Sequence, residues 1–150
     1  MTLRPGLLLA AGLSAVLAVA ATAQPADHIK ARHELMEQNG KDTKAGFAMV
    51  QGKTPFDAAA ALAILTRMNG VANNFGKHFP KGTETGGGTE AAPAIWEKPA
   101  EFQAALAKFQ KDTAAAVAAK PADAAALGQV LGTVAANCKS CHESFRVKKG

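Results

Sequence analysis

The sequence predicts an all-α protein, an antiparallel up-and-down bundle of four helices. Four segments repeat apolar residues at alternating spacings of three and four, the period of an amphipathic helix. No window sustains the alternation of apolar and polar residues that a half-buried strand requires. Alanine, the strongest helix former, is abundant throughout the 150 residues. Because most connections between the segments are short, the helices are expected to be antiparallel neighbours.

Residues 1–23 are predicted to be a cleaved secretory signal peptide rather than part of the bundle. Arg4 supplies a short positive region, an apolar stretch follows, and an A-x-A cleavage site ends at Ala23. The alternative is a membrane anchor, for which the apolar run is short. The mature chain is then a single domain covering residues 24–150.

The first two helices have clear sequence boundaries. The first is predicted over about 26–51, with Gly52 ending it. The second is predicted to open with Thr54 as N-cap and Pro55 at the first position, and Pro80 stops it. The apolar stripe of the first helix contains Ile29, His33, Met36, Gly40, Thr43, Phe47 and Val50.

The second half of the chain contains one long loop and two more helices. Residues 81–93 carry four glycines and are predicted to form the loop. The third helix is predicted over about 99–119, after a short turn around Ile95-Trp96, and the fourth begins at Pro121. The stripe of the fourth helix contains Ala124, Leu127, Leu131, Val134, Cys138, Cys141 and Phe145.

The most informative motif is Cys138-x-x-Cys141-His142, which holds the only two cysteines of the chain. It is typical of a c-type haem attachment site, because each thiol can add to one vinyl group of a haem and the histidine can bind the iron. A thioredoxin-like pair would need a βαβ context, and a zinc site would need a fourth ligand that is not evident.

The bundle topology predicts where the iron lies. The end of the fourth helix lies beside the start of the first, which brings Met36 and His142 to similar depth, about 15 and 12 Å from their chain ends at 1.5 Å per residue. His142 is predicted to be the proximal ligand. His33 and Met36 are both candidates for the distal position, and Met36 could equally be a core residue. The aromatic residues predicted to surround the haem are Phe75, Phe79, Trp96, Phe102 and Phe145. His28 and His78 are predicted to be solvated.

These residues resemble the class II cytochromes c, the cytochrome c′ family, which are four-helix bundles with C-x-x-C-H in the last helix. Three segments carry the resemblance: the ending at 138–146, the P-x-I-W segment at 93–96 and the T-P-F-D segment at 54–57. The resemblance implies one covalently attached haem c with its iron.

The segment around Met36 looks like the low-spin branch of that family, which implies that Met36 is the distal ligand. The resemblance also implies that Arg32 lies near a haem propionate and Arg146 near the proximal histidine, although both could be ordinary solvated arginines.

Two functions follow as expectations. The first is a periplasmic electron carrier whose haem cycles between Fe(III) and Fe(II), with periplasmic or membrane-bound redox proteins as partners. The second is a five-coordinate cytochrome c′ that binds nitric oxide or carbon monoxide. No enzymatic activity is expected. The formal charge of +5 comes without a long basic run, which disfavours nucleic acid. The family often dimerises through its first two helices, so a homodimer is possible.

Overall fold

The structure is a computed structural model that describes residues 24–147. Within this range the chain forms five α-helices and one short 3-10 turn. The helices are α1 (Pro25–Val50), α2 (Ala58–Phe75), α3 (Ala94–Glu97), α4 (Pro99–Ala119) and α5 (Ala124–Phe145), and the 3-10 turn is Gly76–His78. The predicted signal peptide, residues 1–23, lies outside the described residues. Of the helices between residues 24 and 147, none is both long and apolar enough to cross a membrane.

The four long helices form the predicted antiparallel four-helix bundle. Helix α1 packs against α2 and α5, and α4 packs against the same two helices. Neighbours in the chain are therefore neighbours in space, as the short connections require. The short helix α3 packs on α4 and α5, where the sequence predicts a turn.

Two of the predicted helix starts are wrong by about three residues. Helix α2 begins after Asp57, whose side chain accepts a hydrogen bond from the Ala60 amide at 2.6 Å, so Thr54 is not the N-cap. Helix α5 begins after Asp123, which caps the Ala126 amide at 2.7 Å, rather than at Pro121. In both cases a proline suggests an earlier start, but an aspartate satisfies the free amides of the first turn.

The core has two parts, which lie at opposite ends of the bundle. The aliphatic cluster fills one end, where the start of α5 meets the end of α1. It comprises Ala61, Ile64, Leu65, Met68, Ala116, Leu127, Leu131 and Val134. The aromatic cluster lies at the other end. It is built on Ile95, Phe102, Leu106 and Phe145, with Phe75, Phe79 and Trp96 packed against them.

A buried ion pair joins α1 to α2 between these two ends. The Asp42 side chain is only 3% exposed and accepts hydrogen bonds from Arg67 Nη2 at 2.6 Å and Nε at 2.9 Å. Gln38 Nε2 donates to the same carboxylate at 2.8 Å. These bonds compensate the cost of burying a carboxylate. The hydrogen bond to Asp42 also raises the pKa of Arg67 above its ordinary value.

Candidate haem-binding site

A cavity of about 610 Å³ opens at the aromatic end of the bundle, between α1, α4 and α5. Its size lies in the range of small-molecule and cofactor pockets, about 300–1,000 Å³. Five phenylalanines line it: Phe75, Phe79, Phe102, Phe109 and Phe145. Four of the five predicted aromatic residues are therefore placed correctly, and the cavity can accept a large flat apolar group.

Trp96 is the exception among the predicted aromatic residues. It is not part of the cavity lining but supports it from behind, with its ring centroid 6.0 Å from that of Phe79. Its indole Nε1 donates a hydrogen bond to the Phe79 carbonyl at 3.2 Å. Phe109, which was not among the predicted aromatic residues, lines the cavity together with Phe102 and Leu106 of the same helix.

The cavity wall formed by α5 carries all three residues of the C-x-x-C-H motif. Cys138 and Cys141 are one helical turn apart, and both are half-buried. Burial raises the pKa of each thiol, and the neighbouring Cys138 raises the pKa of Cys141 further. A redox-active C-x-x-C motif instead has a lowered thiol pKa, so this pair does not have the electrostatics of a disulfide oxidoreductase.

His142 also lines the cavity from α5, and the residue as a whole is exposed. The protein atoms around the imidazole nevertheless lower its pKa, Arg146 lowers it further, and Glu90 partly opposes the shift. A lowered pKa favours the neutral imidazole, which is the form that binds a metal ion.

Helix α1, which packs beside α5, also contributes to the cavity lining and carries the predicted distal candidates. Met36 is half-buried, His33 is exposed, and both line the cavity. The fold thus brings both candidates to the space that His142 lines, as the bundle topology predicts. Met49, thirteen residues after Met36 along α1, packs against the aliphatic cluster and does not line the cavity.

Arg32 is a buried cation in the cavity lining, with 4% of its surface exposed. Its Nη2 donates to the Thr83 carbonyl at 2.7 Å, while Nε and Nη1 are buried without a partner among the described residues. Burial lowers its pKa, and Glu84 partly opposes this. A buried cation beside a cavity favours an anionic group as its neighbour, because its charge is poorly screened there. A carboxylate such as a haem propionate fits this requirement, and Arg32 is not an ordinary solvated arginine.

Arg146 is about half exposed, but an ion pair holds its side chain in place. It lies at the C-terminal end of α5 and donates to Glu90 Oε2 at 2.5 Å from both Nε and Nη2. Around this pair the backbone forms a short antiparallel bridge, in which the Val147 amide donates to the Glu90 carbonyl at 2.8 Å. The end of the loop predicted at 81–93 is therefore tied to the His142 side of the cavity.

Several polar residues of the lining are not among the sequence-predicted site residues, and Glu90 and Asn39 are two of them. Glu90 has no local signal, because its role depends on the bridge to α5. Asn39 lies one turn after Met36 and is 7% exposed, with its Oδ1 unpartnered among the described residues. A hydrogen bond from Asn39 lowers the pKa of the Cys138 thiol and partly opposes the effect of burial. The sequence offered one indication that Asn39 belongs to the site, because it is a polar residue one helical turn after the candidate ligand Met36.

Together, these features fit a covalently attached haem. Two thiols one turn apart, an adjacent imidazole, an apolar aromatic wall and a buried guanidinium supply the attachment points, the axial ligand, the packing surface and the counter-charge that such a group needs. Among residues 24–147, no set of three or more histidine, cysteine, aspartate or glutamate side chains is arranged to hold a metal ion by itself. The fold and the site therefore define a four-helix c-type haem protein.

The sequence model of cytochrome c′ matches residues 27–146, and the chain belongs to the cytochrome c′ family. It is 40% identical over 124 residues to cytochrome c-556 of Agrobacterium fabrum, covering 83% of this chain and 84% of that protein. The solved cytochrome c′ from Rhodopseudomonas palustris is 37% identical with a TM-score of 0.77, covering 83% of this chain and 98% of that one.

A third relative is known as a ligand complex. The nitric oxide complex of a mutant cytochrome c prime from Alcaligenes xylosoxidans is 30% identical with a TM-score of 0.76, covering 85% of this chain and all of that one (100%). Membership of this family means that the protein carries covalently attached haem c with its iron.

Proposed function

We propose that this protein is a periplasmic one-electron carrier in which His142 and Met36 are the axial ligands of the haem iron. The observation that supports this most directly is that Met36 on α1 and His142 on α5 line the same apolar cavity. When bound, the haem supplies one-electron chemistry through its iron. A methionine opposite a histidine raises the reduction potential and closes the iron to added ligands.

In this proposal the side chains around the cavity hold the group rigidly and keep water away from it. Cys138 and Cys141 form the covalent links, and the phenylalanines of the lining exclude solvent. Arg32, a buried cation in the cavity lining, is the counter-charge for a propionate. Rigid packing favours electron transfer because little has to move when the charge changes.

Partners and location follow from charge and from the signal peptide. Lys44 lines the cavity mouth, and a positive surface there would steer an acidic redox protein of the periplasm or membrane. The predicted signal peptide and the haem motif support a location in the periplasm.

The proposal includes no enzymatic activity, since His33 is the one acid–base group predicted on the distal stripe. A homodimer stays a prediction, which sedimentation of the haem-loaded protein can test.

The alternative proposal is a five-coordinate protein that binds nitric oxide or carbon monoxide. The nitric oxide complex of the Alcaligenes xylosoxidans relative favours it. It requires that Met36 leaves the iron free, in which case Met36 only fills the distal wall.

Optical spectra of the mature, haem-loaded protein distinguish the two proposals. We expect low-spin ferric and ferrous spectra that carbon monoxide does not change. Met36→Leu should give a high-spin ferric spectrum and a ferrous form that binds carbon monoxide. The matched control Met49→Leu, in the aliphatic cluster, should keep the wild-type spectra.

Two other results would redirect the proposal. A high-spin ferric wild type whose ferrous form shifts with carbon monoxide would replace electron transfer with gas binding. A low-spin spectrum that survives Met36→Leu but is lost in His33→Gln would make His33 the distal ligand.

A further inference from the structure

His28 and His78 form a close imidazole pair that lies apart from the haem cavity. His28 is in the first turn of α1 and His78 ends the 3-10 turn, and neither belongs to the cavity lining. Their Nδ1 atoms are 3.3 Å apart, and the ring centroids are 5.6 Å apart with a tilt of 54°. Both residues are half-buried, so the prediction that they are solvated is wrong.

The separation of the two nitrogens equals that of two ligands on a tetrahedral metal ion. With Zn–N bonds of about 2.0–2.1 Å, two nitrogens at the tetrahedral angle lie about 3.3–3.4 Å apart. A square-planar ion would need about 2.9 Å between adjacent ligands with bonds of about that length. In the structure one Nδ1–H can donate to the other Nδ1 across this 3.3 Å, and a bound metal ion would replace that hydrogen bond.

We propose that His28 and His78 form a two-histidine site for a divalent cation of the Zn²⁺ class, with water in the remaining coordination positions. Imidazole nitrogen suits Zn²⁺, whereas Mg²⁺ and Ca²⁺ require oxygen ligands. No third protein ligand joins the pair within residues 24–147, which limits the strength of the site.

Nearby charges affect both the protonation of the two histidines and the affinity of the site for a cation. Metal binding requires both rings to be neutral. Burial, together with His28, Arg32 and Lys77, lowers the pKa of His78, which favours its neutral form at pH 7. The positive charges of Arg32 and Lys77 oppose the cation, so the affinity is moderate.

The consequence of binding is a clamp between two segments that are 50 residues apart in the chain. The ion would hold the start of α1 against the turn that ends α2. It would also lie one helical turn from Arg32, which reaches the haem cavity. A ligand that binds only the folded protein raises its stability, so Zn²⁺ should increase the melting temperature.

Calorimetric titration of the mature, haem-loaded protein with Zn²⁺ in metal-free buffer at pH 8 tests the proposal. The haem-loaded form is used because its cysteines are no longer free thiols that could bind zinc. We expect one Zn²⁺ per chain and no binding of Mg²⁺. His28→Gln and His78→Gln should each weaken Zn²⁺ binding at least about tenfold, the scale on which metal sites lose affinity when a supporting residue is removed. Glu34→Gln, which removes an exposed carboxylate from the same helix, should keep the affinity.

X-ray absorption at the zinc edge on the wild-type protein gives a second test that needs no variant. We expect two imidazole ligands and two oxygen ligands. Absence of Zn²⁺ binding, wild-type affinity in His28→Gln or in His78→Gln, or a spectrum with fewer than two imidazoles would overturn the site. The site does not use Met36 or His142, so its failure would leave the proposed electron-carrier function unaffected.

Discussion

The guanidinium carbon of Arg32 lies 4.7 Å from the centroid of the Phe79 ring, so a buried cation covers part of the aromatic wall. The same guanidinium is anchored to the loop after the 3-10 turn through the Thr83 carbonyl at 2.7 Å. The contact with the ring compensates part of the desolvation of the charge. The rest of the desolvation cost comes from Nε and Nη1, which are buried and have no hydrogen-bond partner among the described residues.

Replacing Arg32 with Gln should lower the reduction potential of the haem. Loss of a positive charge beside a propionate favours the oxidised, more positive form of the iron. We expect a fall of roughly 30–60 mV, because 59 mV corresponds to a tenfold change in a one-electron equilibrium. Redox titration followed by visible absorption measures it. Lys53→Gln removes an exposed charge just after α1, at the end of the bundle remote from the cavity, and should leave the potential unchanged. An unchanged potential in a folded Arg32→Gln protein would contradict the propionate contact.

Breaking the ion pair between α1 and α2 should reduce the free energy of unfolding. In Arg67→Gln the buried Asp42 carboxylate keeps Gln38 but loses its charged partner. We expect a loss of roughly 1–2 kcal/mol, the lower part of the range for an unsatisfied buried group, because water can reach the half-exposed position of Arg67. Urea unfolding followed by circular dichroism measures it. Lys30→Gln, which breaks the exposed pair with Glu34, should change nothing measurable.

The His28–His78 pair predicts that stability falls with pH below neutrality. Burial, first, and then His28, Arg32 and Lys77 lower the pKa of His78 in the folded protein. The unfolded chain protonates near its ordinary pKa of about 6.5, so below that pH it binds more protons than the folded protein does. Stability is therefore complete above about pH 6.5 and declines as the pH falls toward the lowered pKa of His78.

Urea unfolding at pH 7.5 and pH 5.5 in metal-free buffer measures this loss. His78→Gln should show a smaller fall in unfolding free energy than the wild type between these two conditions, because the titrating group is gone. Equal falls in the two proteins would show that other groups carry the pH dependence.

The amino-acid pattern was sufficient to place the central residues of the site. A period of 3.6 puts Cys138 and Cys141 on the inner face of α5, and the up-and-down order of the helices brings Met36 level with His142. These inferences hold because they depend on helix geometry over several turns, which local detail does not disturb.

The parts that were missed depend on contacts between distant segments. Thr54 and Asp57 both have side chains that can cap a helix, and the choice of Asp57 accompanies the packing of Phe56 against the aliphatic cluster. His28 meets His78 only because α2 tightens into a 3-10 turn after Phe75. Neither the cap at Asp57 nor the contact between His28 and His78 can be predicted from the residues next to them in the sequence.

The ion pair between Glu90 and Arg146 should stabilise the backbone bridge on the His142 side of the cavity against local opening. In Glu90→Gln the charge of Arg146 loses its partner, and the Val147 amide, which donates to the Glu90 carbonyl at 2.8 Å, should exchange faster. We expect roughly a two- to fivefold increase, since a partly exposed pair contributes about 0.5–1 kcal/mol. Hydrogen exchange followed by NMR measures it. Glu101→Gln, which breaks an exposed pair with Lys98, is the control. Equal exchange in the two variants would show that the backbone bridge holds without the ion pair.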